Sequence, residues 1–113
     1  MVDSALLHIV FLGLALAPEK ELDRKALAEK IKAGHHQAFE HFVDRHYDPL
    51  LHFLMSKGTE REVAKDLIQK AFVYIWEHRQ QIDPQKSLRA YIFKIAYTRM
   101  LNHYRDNKKF NNN

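Results

Sequence analysis

TEREVAKDLIQKAFVYIW, running from Thr59 to Trp76, is the stretch on which the fold turns. Val63, Leu67, Ala71, Phe72, Ile75 and Trp76 recur at the 3.6-residue period of an amphipathic helix, with no proline or glycine between them. Thr59-Glu60-Arg61-Glu62 has the pattern of a capping box, in which a threonine hydroxyl and a glutamate satisfy each other's end of the first turn. A helix is therefore expected to open there and run to about Gln80. Gly58, directly before it, suits the close of a preceding helix.

Working outward, residues from His36 to Lys57 carry Phe39, Phe42, Val43, Leu50, Phe53 and Leu54 at helical spacing. Pro49 lies inside that run and predicts a kink near Arg45–His46. Further upstream, Pro18 opens another helix whose stripe of Leu22, Ala26, Leu27 and Ile31 stops at Gly34. Downstream, Ile82-Asp83-Pro84-Gln85-Lys86 reads as a turn, and Ser87 as the N-cap of a last helix over about Leu88–Asn107. Three glycines and three prolines in 113 residues leave too few turns for a β-sandwich or barrel. The expected fold is all-α, a compact bundle of about four helices. Residues 18–110 form the domain, 1–17 an apolar N-terminal arm or extra helix, and 111–113 a frayed tail.

The apolar run ALLHIVFLGLALA at residues 5–17 is thirteen residues long. As a helix it would span about 20 Å, short of the roughly 30 Å of a bilayer's hydrocarbon core, so stable membrane insertion is not expected. Ala15-Leu16-Ala17 imitates a signal-peptidase site, but no Lys or Arg precedes the run, Asp3 stands where positive charge belongs, and Pro18 follows the site directly. A cleaved signal is therefore not expected.

The chain is 46% hydrophobic and 28% charged, the usage of a folded domain rather than a disordered tail, and it has no cysteine for a thiolate site or nucleophile. Eight histidines invite a metal, yet His41, His46 and His52 are five and six residues apart and do not converge on one helix face. No glycine-rich phosphate loop, nucleophile elbow or paired carboxylates stand out, so neither metal binding nor enzymatic activity is expected.

Charge is informative by location. Lys86, Arg89, Lys94, Arg99, Arg105, Lys108 and Lys109 face a single acid, Asp106, so this stretch carries +6. The rest of the chain carries −2, eleven basic residues against thirteen acidic. Such a local excess favours a polyanion partner, nucleic acid ahead of membrane. In the same helix Tyr91, Phe93, Tyr97 and Tyr104 interleave with the basic residues, and aromatic faces can stack on unpaired bases. Arg89, Lys94 and Arg105, with Lys108 and Lys109, are expected to follow a phosphate backbone. The series Phe93, Tyr97, Leu101, Tyr104 also fits a core stripe; on spacing Phe93 and Leu101 are assigned to the core, while Tyr91, preceded by Arg89 and close to the polar turn, is assigned to the surface.

Taken together, residues 35–107 resemble region 2 of bacterial sigma factors, the promoter-recognition subunits of RNA polymerase, most closely the extracytoplasmic-function group. The carrying segments are Ala38-Phe39 with Tyr47, DLIQKAFVYIW from Asp66 to Trp76, and SLRAYIFKIAYTRMLNHYRD from Ser87 to Asp106. The resemblance implies a non-catalytic transcription initiation domain that binds core RNA polymerase and recognises and melts the minus-ten promoter element. It places Asp66, Gln69 and Phe72, with Leu67 and Ile68 around them, against the β′ clamp helices. It places Lys86, Arg89, Tyr91, Lys94, Thr98, Arg99, Asn102 and Arg105 on the non-template strand of promoter DNA. Arg89, Lys94 and Arg99 would hold phosphates and Asn102 a base edge, while the turn Gln80–Lys86 would help hold a flipped base.

The resemblance further implies an anti-sigma factor as partner, a cytoplasmic location and no cofactor. Family members usually carry acids where Lys65 and Lys70 stand here. They also carry a second helical domain for the minus-thirty-five element, which the residues after Asn107 are too few to supply, so the chain is expected to be a fragment, an isolated domain or a single-domain variant. These two departures sustain an alternative expectation, a degenerate sigma-like interaction module that binds polymerase or an anti-sigma factor without opening DNA.

Overall fold

The computed structural model describes residues 21–111, and the N-terminal segment 1–17 lies outside them. Four helices follow in order: α1, Glu21–Lys32; α2, His36–Ser56; α3, Arg61–Glu77; and, after a 3₁₀ turn at Arg79–Gln81, α4, Leu88–Asn111. No strand occurs among the described residues, so the chain is an all-α bundle. None of the described helices is long and apolar enough to cross a membrane.

Glycine shapes two of the three corners. Gly34 and Gly58 have φ of +90° and +95°, a region that carries a steric cost for L-residues with a Cβ. Each closes a Schellman motif: the amide of Gly34 donates to the Ile31 carbonyl and that of His35 to Lys30, while Gly58 donates to Met55 and Thr59 to Leu54. The second motif overturns the capping box. With its backbone committed to ending α2, Thr59 is buried and its hydroxyl has no partner. Glu60 is the N-cap of α3, without a side-chain cap, and Glu62 pairs with Lys65 at 3.7 Å instead.

Phe42, Leu50 and Leu54 of α2, Ile68 and Ile75 of α3, and Ile92 of α4 form the fully buried centre. α1 adds Ala28 and Ile31 and packs on α2 and the 3₁₀ turn. α2 runs unbroken through Pro49. The stripe on α4 differs from the one its aromatics suggested. Ile92, Ala96 and Met100 face the core together with Phe93, whereas Leu101 is 49% exposed and Tyr97 and Tyr104 are also exposed. Leu101 is one residue, about 100°, around the helix from Met100. α4 also continues to Asn111, beyond the end expected at Asn107 and into the expected frayed tail. Among the residues of α4 whose burial is described, up to Lys108, Met100 is the last buried one.

One buried polar group has a consequence for acid stability. His46 is buried against the Phe42 ring, 4.5 Å between centroids, and its Nδ1–H donates to the Phe42 carbonyl at 2.8 Å. Burial holds its pKa below the usual 6.5; the bond to Phe42 opposes this, and the charges of Arg89, Arg45 and Arg24 add to the lowering. The unfolded chain therefore binds a proton at His46 that the folded chain refuses, and stability contributed by this residue is lost as pH falls below about 6.5. The expected outcome is a weaker pH dependence of the urea midpoint, between neutral and mildly acidic buffer, in His46→Leu than in the parent. Parallel dependences would contradict the assignment.

Candidate nucleic-acid interface

The start of α4 is built by its turn. Asp83 Oδ1 accepts the Gln85 amide at 2.9 Å, and the Asp83 carbonyl accepts the Lys86 amide at 3.0 Å. Ser87 caps the helix as its sequence suggested, its Oγ accepting the Ala90 amide at 3.1 Å. Ile82 is buried in the core and anchors the turn. These contacts set the rotational phase of α4 and hence which side chains face outward.

On that outward face Tyr91, Lys94, Thr98, Asn102 and Arg105 follow at steps of three or four residues. The first four, with Ile95 and Arg99, meet Tyr74 of α3 in a cleft of about 360 Å³. Five of the eight residues expected to touch DNA therefore line one concavity. Arg105 is exposed further along the helix, its Nε 3.5 Å from the Asp106 carboxylate, and Lys86 is exposed in the turn. Lys108 is exposed beyond them. Tyr91 is half-buried rather than free on the surface. Burial pushes its phenol above the usual value, and the charge of Tyr74 and a hydrogen bond to it act in the same direction.

Arg89 stands apart from this row. Two residues before Tyr91, it lies about 200° around the helix, on the side that Ile92, Phe93 and Ala96 turn to the core. Its guanidinium sits 5.8 Å from the Phe93 ring centre, and its buried Nε has no hydrogen-bond partner. Burial lowers its pKa, as do Arg24 and Arg45. It does not share the outward row of Lys94 and Arg105.

A second concavity, about 450 Å³, opens between α2 and α3. Phe39, Val43 and Tyr47 supply one wall, and Asp66, Gln69, Phe72 and Val73 the other. Asp66 and Gln69 are exposed at its rim, and Phe72 shows only 5% of its surface. Leu67 and Ile68, expected to contact a partner, are instead core residues; Ile68 is 0% exposed. They hold the helix in place, Leu67 showing 5% of its surface. Lys70 Nζ lies 3.0 Å from Asp66 Oδ2, with both side chains more than half exposed, a pair worth roughly 0–1 kcal/mol.

A sequence model of the family described as Sigma-70 region 2 matches residues 42–110. The chain belongs to the sigma-70 region 2 family. This sigma-70 region 2 chain is 31% identical over 81 residues to RNA polymerase sigma factor CnrH of Cupriavidus metallidurans, covering 72% of the chain and 42% of that protein. It is 30% identical over 86 residues to RNA polymerase sigma factor NccH of Alcaligenes xylosoxydans, covering 76% and 44% respectively. RNA polymerase sigma factor YlaC of Bacillus subtilis is 28% identical over 76 residues, covering 67% of the chain and 44% of that protein. The chain thus spans less than half the length of these relatives. No solved structure gives a significant match.

Tyr74 was missed in the sequence, as were Val43 and Val73. Tyr74 stands on the helix read as a docking element, five residues past Gln69. Only the packing of α3 on α4 brings it to the cationic face.

Proposed function

We propose that this chain is the part of an RNA polymerase sigma factor that grips core polymerase through the α2–α3 groove and holds the melted minus-ten element along α4. The observation that carries the reading is the cleft in which Tyr91, Lys94, Thr98, Arg99 and Asn102 converge with Tyr74, on the face of the helix with the +6 stretch. Aromatic rings beside cations and short polar groups suit an unpaired strand, whose bases can stack while its phosphates are neutralised. Melting costs a few kcal/mol of unstacking, which such contacts offset. The same reading includes the β′ clamp helices and an anti-sigma factor as partners, a cytoplasmic site of action, and no catalysed reaction of its own.

The test is binding of the chain to labelled single-stranded and duplex DNA of the same sequence, followed by fluorescence anisotropy over a range of salt. Single strands should bind more tightly, and salt should weaken both. Lys94→Ala and Arg105→Ala should each flatten the single-strand plot of log K against log salt by about 0.7. Equal binding of the two substrates would sink the melting role.

The Lys70–Asp66 pair is the observation favouring the alternative, an interaction module that no longer opens DNA, because it partly neutralises the carboxylate at the docking rim. Its exposure limits its weight. A pair worth roughly 0–1 kcal/mol yields readily to a buried partner contact.

A further inference from the structure

Tyr74 lines the α3–α4 cleft and a further depression beside it. In the cleft it meets Tyr91 and Arg99, and in the depression, of about 330 Å³, it meets Asp66, Gln69, Glu77 and Arg99. Its ring is braced from within its own helix: His78, one turn on, stacks on it at 4.0 Å between centroids with 23° between planes. The His78 ring is itself fixed, Nδ1 lying 2.9 Å from the Tyr74 carbonyl oxygen. From α4, the Arg99 guanidinium carbon lies 5.6 Å from the Tyr74 ring centre. Arg99 is half-buried and makes no ion pair among the described residues, the carboxylates of Asp66 and Glu77 lining the same depression without closing on it.

We propose that Tyr74 is a positioning residue for nucleic-acid binding: braced by His78, its ring holds the Arg99 guanidinium at the mouth of the cleft for a phosphate of the unpaired strand. This rests on the functional reading above and adds to it a residue from the other helix. The physical argument is one of freedom. An unheld arginine samples many rotamers and must be ordered when the strand arrives, at a cost of about 0.5–1.5 kcal/mol for such a side chain. A ring face within about 6 Å attracts the cation and orders the guanidinium beforehand without neutralising it, as a carboxylate would. Tyr74 also shares the cleft with Tyr91, so one residue of α3 stands beside a cationic and an aromatic member of the α4 face.

The test uses the full chain and single-stranded DNA across a salt series, with circular dichroism and melting of each variant as controls. Tyr74→Leu should lower affinity about threefold to tenfold and flatten the salt slope by up to about 0.7, the share of one phosphate on a single strand. Tyr74→Phe, which keeps the ring, should restore the parent slope. In an Arg99→Ala background Tyr74→Leu should add little, because the group it positions is gone. A loss of equal size in that background would mean that Tyr74 acts through packing alone and would overturn the proposal. So would a Tyr74→Leu variant with the parent slope. If the parent itself binds no single-stranded DNA, the functional reading fails and the positioning role falls with it. If the parent binds and only the Tyr74 effects are missing, the functional reading stands and this inference alone is lost.

Discussion

Phe42→Ala is expected to remove a large share of the stability of the bundle and to loosen the groove wall that Phe42 supports. Phe42 is 1% exposed; its ring meets that of Phe72 edge-on at 5.8 Å and lies 4.5 Å from His46. Truncating a buried phenylalanine costs about 3–5 kcal/mol, transfer and cavity terms together. A small domain has on the order of 5–15 kcal/mol in all. The loss also reaches the site, because Phe42 supports Phe72 from beneath and Phe72 forms part of the groove wall. Urea unfolding followed by far-ultraviolet circular dichroism should show a large fall in midpoint, with Phe42→Leu losing far less. A shift no larger than that of an exposed substitution would contradict the placement of Phe42 at the core.

The second large effect is expected at the groove rim. Asp66→Ala with Gln69→Ala should weaken capture of the polymerase β′ clamp helices by about tenfold or more, the scale of a central interface pair. Both residues are exposed and neither contributes to the core, so helicity and melting should stay near those of the parent. That separation makes the outcome readable. Lys70→Ala should act in the opposite sense and by less, because it frees the Asp66 carboxylate from a solvent-exposed pair. Undiminished capture by the double variant would withdraw the docking assignment.

Much of the architecture was legible before any coordinates, because helices advertise themselves locally. The apolar period of Val63–Trp76, the serine before Leu88, and the glycines at 34 and 58 mark elements and corners through short-range sterics and hydrogen bonds. Local signals failed where one residue had two possible uses. Thr59 has the identity of an N-cap, but its amide closes the preceding helix, and Glu60 takes the capping position. Leu101 has the spacing of a core residue, but the inward face of α4 is set by Ile92, Ala96 and Met100.

The sequence alone determined the helical class, the cationic stretch Lys86–Lys109 and the signature helix with Asp66 and Gln69, since these depend on composition and near neighbours in the chain. Which members of each set share a surface was decided by tertiary structure. The phase of α4 turned Arg89 toward Phe93 and left Lys94, Thr98 and Asn102 facing outward. The packing of α3 drew Ile68 fully inside and brought Tyr74, 25 residues before Arg99 in the chain, up to its guanidinium. A one-residue change of helical phase turns a side chain by about 100°, and it is packing against other helices that selects the phase.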